Sequence, residues 1–245
     1  MLKKIVSVTI FLFISLFIFI AAGAFLVGCN VSVRGSGNVI EEGREVSGFD
    51  RVALDGMGEV ILEQGETHSL VVEADDNLMQ YIKSTVRGDQ LTINIKSKRP
   101  IIPTKGLKFY VTVPNLEAVS VDGAGSVNIS SLEAETLELD INGSGNISVD
   151  ELEATALVIG VDGVGDIDVA GEVNSLEVDI NGSGSFNGKH LESDVANVDI
   201  DGVGNAKIHA NDSLDANVDG VGQVVYYGNP TVSQNVNGLG RVVHR

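Results

Sequence analysis

The phrase VDGAGSV at 121–127 returns six more times before residue 243, and this repetition decides the fold of the chain. Every copy reads apolar, Asp or Asn, Gly, any residue, Gly, any residue, apolar, and the first glycines lie 20, 20, 19, 20, 18 and 18 residues apart. Such a period is typical of repeat proteins, in which each unit buries its apolar face against the next. The other copies are INGSGNI at 141–147, VDGVGDI at 161–167, INGSGSF at 180–186, IDGVGNA at 200–206, VDGVGQV at 218–224 and VNGLGRV at 236–242.

On both sides of the phrase, apolar and polar residues alternate. LELDI at 137–141 leads into one copy, and the alternation resumes with Ile147 and Val149. Period-two alternation with β-branched residues indicates strands rather than helices. A leucine-rich repeat would need an L-x-x-L-x-L frame, and a propeller needs roughly four blades where this region holds about three units of suitable length. We therefore predict an all-β fold, a parallel β-solenoid of 18–20 residues per turn.

One polar position precedes every first glycine and would form a corner ladder of stacked side chains. Asp and Asn bond readily to nearby backbone in turns, which makes a structural role the simpler interpretation. Stacked carboxylates about 5 Å apart repel by about 1 kcal/mol even in water, and intervening Asn residues relieve this. Among the seven, only Asp201 and Asp219 follow one another without an Asn between them. The ladder comprises Asp122, Asn142, Asp162, Asn181, Asp201, Asp219 and Asn237.

A calcium site is the alternative for these acidic residues. Calcium-binding nonapeptide repeats follow G-G-x-G-x-D-x-U-x. In this chain Val127, Ile147 or Ile167 stands where that motif has its aspartate. We therefore predict a structural ladder and no metal site.

The first residues have the features of an export signal. Lys3 and Lys4 precede an uncharged apolar run over 5–27, and the only cysteine follows at Cys29. Leu26, Val27 and Gly28 before it resemble the lipobox of bacterial lipoproteins, in which the cysteine is lipidated. We predict a lipoprotein signal peptide at 1–28 and lipid attachment at Cys29. A retained transmembrane helix is the alternative, because 23 apolar residues would span a bilayer.

The remaining chain is strongly acidic. Residues 29–245 hold 34 acidic and 14 basic side chains, a net charge of −20. Nucleic-acid binding needs a basic face that phosphates can contact, so this balance argues against it. It suits a solvated protein of the cell envelope.

One cluster of basic residues stands out. It falls around Pro100 and Pro103 and is most simply a solvated loop. Its functional interpretation is a patch that touches anionic lipid headgroups or an acidic glycan. The cluster comprises Lys96, Lys98, Arg99, Lys105 and Lys108.

The repeat region covers only part of the exported chain. We predict a tether at 29–48, a less regular N-terminal β region or cap at 49–118, and the repeat solenoid at 119–245. The cap contains another copy of the phrase at 54–60 and a helical turn within 75–86 that packs Leu78, Met79 and Ile82.

Several phrases in their order resemble a known family, the head GIN domain of putative auto-transporter adhesins. These phrases are GFDRV at 48–52, VILEQG at 60–65, LTINI at 91–95, VTVPNL at 111–116 and the serial Asx-Gly-x-Gly copies. The resemblance covers roughly residues 38–242. It implies a bacterial envelope protein, often a lipoprotein, with a β-helical structure, no settled biochemical activity and no catalytic residues.

The sequence contains no recognisable catalytic constellation. Neither a G-x-S-x-G elbow nor a GKS or GKT loop occurs, and Lys189 and Lys207 are the only basic residues between 119 and 240. The histidines occupy different positions relative to the repeat: His68, His190, His209 and His244. We predict a non-catalytic adhesin-like module without cofactors, for a glycan or protein ligand. An envelope scaffold without external ligand and a polysaccharide-active β-helix enzyme remain the alternatives.

Overall fold

A computed structural model describes residues 32–245, so the predicted signal peptide, the lipobox and Cys29 lie outside the described residues. Within this range the chain is almost entirely β, with a single 3-10 turn at Met79–Tyr81. No helix among the described residues has the length and apolar character needed to cross a membrane. The strands are β1 Val33–Arg34, β2 Val39–Arg44, β3 Arg51–Asp55, β4 Met57–Gln64, β5 Ser69–Asp75, β6 Ile82–Arg87, β7 Gln90–Ile95, β8 Ile101–Ile102, β9 Lys108–Val113, β10 Ala118–Val121, β11 Ala124–Ile129, β12 Leu132–Ile141, β13 Ser144–Val161, β14 Val164–Ile180, β15 Ser183–Ile200, β16 Val203–Val218, β17 Val221–Tyr227, β18 Thr231–Val236 and β19 Leu239–His244.

The predicted parallel solenoid is confirmed. Strands of successive turns pair in parallel, and equivalent residues of the repeat lie directly above one another. Because the side chains of stacked strands project alike, the β-branched residue before each Asx forms a continuous buried column from Val121 to Val218, and Val236 of the last turn is exposed. The seven phrases bound six complete turns. Part of this column consists of Ile141, Val161, Ile180 and Ile200, each without exposed surface.

The corner of each turn requires glycine because neighbouring turns meet backbone to backbone there. A Cβ added at Gly143 would overlap the carbonyl oxygen of Gly123, and one added at Gly165 would overlap that of Gly145. Neither glycine has a positive φ. The requirement is therefore for space between stacked turns rather than for a left-handed backbone.

The N-terminal β region is continuous with the solenoid. The copy of the phrase at 54–60 stacks in register beneath the copy at 121–127, although 67 residues separate them. Strands β7 and β9 stack on the opposite side of β3 and β4, and β2, β5 and β6 add antiparallel pairs around them. The predicted helical turn is the 3-10 turn, and Leu78, Met79 and Ile82 are buried.

The segment 29–48, predicted as a tether, forms two paired strands in the part that the structure describes. Strand β2 pairs antiparallel with β5, and β1 pairs parallel with β8. The loop between β1 and β2 is held by Asp75, a fully buried carboxylate that accepts hydrogen bonds from the Gly37 amide at 2.8 Å and from the Thr104 hydroxyl at 2.6 Å. The Thr104 hydroxyl is the main reason that the pKa of Asp75 lies below its ordinary value.

Candidate ligand-binding surfaces

The Asx side chains form a line along the solvent-exposed corner of the solenoid. Each Asn donates a hydrogen bond from Nδ2 to Oδ1 of the Asp one turn earlier. These bonds measure 2.8 Å from Asn142 to Asp122, 3.0 Å from Asn181 to Asp162 and 2.9 Å from Asn237 to Asp219. The arrangement satisfies polar groups within the protein, as a structural ladder does.

Each Asx side chain is one rung of the corner ladder, and two rungs differ from the rest. Asp201 takes part in none of the Asn to Asp bonds between rungs, since its neighbours are Asn181, which donates to Asp162, and Asp219, which accepts from Asn237. The ladder also begins one turn earlier than expected, because Asp55 occupies the rung beneath Asp122. The copy of the phrase at 54–60 was the sequence signal for this extra rung.

Beside the corner, the outward positions of the strands carry further aspartates. Asp140 is half-buried, and burial followed by repulsion from Glu138 and Asp162 raises its pKa to about 6. Its carboxyl lies over Gly160 of the next turn, where an added Cβ would overlap it. Burial and the neighbouring Asp199 likewise raise the pKa of Asp179.

These carboxylates do not converge on a metal position. Among residues 32–245, no group of three or more His, Cys, Asp or Glu side chains has the arrangement needed to hold an ion. Asp140, with its pKa of about 6, can instead bind a proton at mildly acidic pH, and the row of acids can meet a positively charged partner.

An open cleft of about 660 Å³, which we call the acidic groove, lies on another side of the solenoid. Four of its glutamates occupy equivalent positions on four successive turns. A second cleft of about 450 Å³ shares Glu133 and Glu135 with it, and the Arg51 guanidinium lies in that cleft, 2.7 Å from Glu138. The carboxylates of the acidic groove are Glu133, Glu135, Glu153, Glu172, Glu192 and Asp194.

The glutamate row was missed in the sequence, although it obeys the same period as the corner ladder. Glu133, Glu153, Glu172 and Glu192 follow their respective first glycines by 10, 10, 9 and 10 residues. Aligning the copies beyond the seven-residue phrase would have revealed the row.

The chemistry of the acidic groove favours cation binding over catalysis. Its glutamates are exposed and occupy equivalent positions, so nothing distinguishes a general acid from a nucleophile, as a glycosidase would need. The groove lining contains no aromatic side chain on which a sugar ring could stack, and no basic side chain.

The predicted basic patch divides in the structure. Lys96, Lys98, Arg99 and Lys105 lie exposed in the segment between β7 and β9. Lys108 lies on β9 and pairs with Glu59 of β4 at 3.6 Å. Four of the five side chains therefore form a free basic surface.

His68 and His244 lie at opposite ends of the fold and do not contact each other. His68 lies against Phe49 with ring centroids 4.7 Å apart, and its Nε2 is 2.7 Å from the Phe49 carbonyl oxygen. His244 stacks on Tyr226 in the last turn at 4.8 Å. Both rings have packing roles, and they do not share a site.

Comparisons with known proteins agree with this fold. A crystal structure of a putative adhesin from Bacteroides fragilis NCTC 9343 is 26% identical, with a TM-score of 0.84 over 87% of this chain and 100% of that chain. Two structures from Parabacteroides distasonis ATCC 8503 show the fold alone. They are a putative lipid binding protein at 23% identity and TM-score 0.70, covering 87% of this chain and 99% of that chain, and a putative adhesin at 24% and 0.67, covering 87% and 100%.

No curated protein matches the sequence. The model of the family described as putative auto-transporter adhesin, head GIN domain, matches residues 48–230. The descriptions of this family and of these neighbours name adhesins and a lipid-binding protein and no enzyme, and adhesins act at the cell envelope or surface. The chain therefore belongs to the family of putative auto-transporter adhesins with a head GIN domain.

Proposed function

We propose that this protein is an exported, lipid-anchored protein of the bacterial envelope that acts as a non-catalytic, adhesin-like binding module, and that the acidic groove is its ligand-binding surface. The observation that carries this proposal is the row of four stacked glutamates in an open cleft of about 660 Å³. Family membership supports the adhesin-like role.

The rigidity of the groove supports a binding role. Its carboxylates lie on outward positions of β12 to β15, whose inward neighbours such as Leu152 and Leu191 are almost fully buried. A rigid surface loses little conformational entropy when a ligand binds, so it favours affinity. Stacked glutamates about 4.8 Å apart also repel one another, and a positively charged ligand would relieve that repulsion.

The groove chemistry favours one ligand class. Clefts lined by one sign of charge concentrate ligands of the opposite sign. Sugar binding commonly uses aromatic stacking, and the groove lining offers none. We therefore commit to a Lys- or Arg-rich segment of a partner protein as the ligand, rather than a glycan.

A binding titration with matched variants tests the groove. The probe is a fluorescent ten-residue oligolysine, with a neutral dextran as the comparison, measured by fluorescence anisotropy at 150 mM salt. The groove variant replaces Glu133, Glu153, Glu172 and Glu192 by Gln. The control variant removes the same number of charges at the exposed residues Asp150, Glu151, Asp166 and Asp215, none of which lines the groove.

We expect the groove variant to weaken oligolysine binding at least tenfold and the control variant to weaken it less than threefold. Equal losses in both variants would mean that only net charge matters, and the groove assignment would be wrong. Binding of dextran by the wild-type protein in preference to oligolysine would replace the protein ligand by a glycan.

Lipid anchoring is a separate part of the proposal. It is supported by Leu26, Val27 and Gly28 before Cys29, the only cysteine of the chain. Metabolic labelling with an alkyne fatty acid should mark the wild-type protein, and Cys29→Ala should abolish the label. The lipid anchor would be contradicted if Cys29→Ala were still labelled. It would also be contradicted if the wild-type protein were unlabelled and kept its N-terminal segment.

A further inference from the structure

Positive charge is concentrated at one end of the fold. Residues 78–108 carry seven Lys or Arg side chains and one acid, Asp89, which gives 7 − 1 = +6. Residues 109–245 carry four basic and 22 acidic side chains, which gives 4 − 22 = −18. The basic segment lies at the N-terminal end of the solenoid together with residues 32–77, which carry three basic and 11 acidic side chains. Residues 32–108 together therefore give 10 − 12 = −2, far less negative than the −18 of the remaining turns.

The centre of this charge is a surface that we call the basic end, made of Arg34, Lys96, Lys98, Arg99 and Lys105. Arg34 joins the four residues of the loop because β1 pairs with β8, which sets Arg34 beside Ile102. Among residues 32–245, the ion pairs within 4.0 Å involve other cations, namely Arg44, Arg51 and Lys108. All five side chains of the basic end are exposed.

Two acids next to the basic end, Asp75 and Asp76, accept hydrogen bonds from neutral donors. The Asp75 carboxylate accepts hydrogen bonds from Thr104 and Gly37. Asp76 accepts hydrogen bonds from the Ser36 hydroxyl at 2.5 Å and from Asn38 Nδ2 at 3.0 Å. Neither carboxylate lies within 4.0 Å of a cation of the basic end, so the five cations stay available to an external partner, although the two negative charges reduce the local sum to 5 − 2 = +3.

The polypeptide enters the described fold at this same surface. The Val33 amide donates a hydrogen bond of 2.8 Å to the carbonyl oxygen of Pro100, which directly follows Arg99. Cys29 lies four residues before Val33 in the sequence. Even a fully extended chain places it within about 14 Å of this hydrogen bond.

An apolar side chain lies among these cations. Ile102 is 44% exposed although it is flanked by Ile101 and Pro103, which are more buried. Exposed aliphatic side chains surrounded by Lys and Arg suit the boundary between headgroups and acyl chains.

We propose that the basic end docks on anionic lipid headgroups of the membrane that anchors Cys29. This orientation keeps the acidic turns away from a surface that would repel them. It rests on the proposed lipid anchor for its geometry, but lipid binding by the folded domain can be measured without the anchor.

The test uses residues 30–245, which contain the whole core, since the buried hydrophobic residues fall between Phe49 and Val224. The crystal structure from Bacteroides fragilis consists of this domain alone, since 87% of the present chain covers 100% of that chain. A domain of this kind can therefore fold without further segments. Co-flotation is measured with vesicles of phosphatidylcholine alone and with 30% phosphatidylglycerol, at 50 mM and 300 mM salt. We expect binding to the anionic vesicles at low salt, weakened at high salt.

Two variants with the same net charge identify the surface. The patch variant replaces Lys96, Lys98, Arg99 and Lys105 by Gln, and the control variant replaces Lys189, Lys207, Arg241 and Arg245 by Gln. Each Lys or Arg near an anionic surface raises partitioning roughly fivefold, so the patch variant should bind at least tenfold more weakly and the control less than threefold. Thermal melts confirm that both variants keep the wild-type fold.

Three results would overturn the proposal: equal binding to neutral and anionic vesicles, equal losses in the two variants, or preferential binding to soluble dextran sulfate. The last result would identify the basic end as a site for acidic polysaccharide. If the wild-type protein is not labelled by fatty acid, the lipid anchor is refuted. The flotation result for residues 30–245 does not depend on Cys29, so the anchor and the docking of the basic end can each fail without the other.

Discussion

Asn142 donates a hydrogen bond of 2.8 Å from Nδ2 to Oδ1 of Asp122, the residue directly below it in the corner ladder. The same bond recurs at two other places in the ladder. Alternating amides and carboxylates thus convert a row of repelling charges into pairs. Two pairs of neighbouring rungs lack an intervening amide, Asp201 with Asp219 and Asp55 with Asp122.

Asp201→Asn should stabilise the protein by up to about 0.5 kcal/mol, because it removes an exposed pair of like charges. Urea unfolding at pH 7 and low salt measures the change, and the gain should shrink at 500 mM salt. Asp215→Asn is the control, since it alters net charge equally at an exposed residue whose paired neighbours, Asn197 and Ser233, are uncharged. A gain of the same size in the control would show that the ladder position is irrelevant.

The buried columns should be far less tolerant than the corner. Ile141→Asp or Ile180→Asp should cost about 4 kcal/mol, because each places an unpaired charge where no surface is exposed. Asn181→Ala should cost about 1 kcal/mol, the value of a lost hydrogen bond. Denaturant melts compare the three variants with Val164→Asp at an exposed position, which should cost less than about 1 kcal/mol. Similar small losses in all four would refute the stacked-column arrangement.

Close stacking of the corners makes a further prediction about stability. Gly165→Ala should cost about 3 kcal/mol, because the new methyl group would overlap the Gly145 carbonyl oxygen and push two turns apart. Gly43→Ala adds the same methyl group where nothing lies within 4 Å, and its cost should stay within about 0.5 kcal/mol. Unfolding midpoints of the two variants decide the matter, and equal midpoints would contradict the packing.

The fold of the repeat was predictable because its information is local. The phrase sets the corner, and the alternation around residues such as Ile141 and Ile147 identifies the buried face without knowledge of distant contacts. The pairing of Lys108 with Glu59 was not predictable, since it depends on the register of β9 against β4, strands 49 residues apart. The folding of the segment predicted as a tether likewise depends on the distant Asp75.

The half-buried carboxyl of Asp140 should make the free energy of unfolding depend on pH. The pKa of Asp140 is raised to about 6 in the folded protein, against an ordinary value of 3.8. Between these values the folded state binds more protons than the unfolded state, so this group makes stability rise as the pH falls from 7 to 5.

Asp140→Asn should remove this rise and stabilise the protein at pH 7 by about 1 kcal/mol. This value is smaller than the full pKa shift would give, because the carboxyl is half exposed and solvent screens its interactions. The comparison is thermal or urea unfolding of both proteins at pH 7, 6 and 5. The difference between them should narrow toward pH 5. A difference that is constant across this range would show that Asp140 does not titrate there.

The measurement that tests the adhesin-like role most directly is protease shaving of intact cells, compared with lysed cells, followed by detection of the repeat region. An adhesin must face the medium, so we predict that the domain is cleaved on intact cells while a periplasmic marker survives. Protection of the domain until the cells are lysed would contradict the role in adhesion and would leave an internal envelope scaffold as the function.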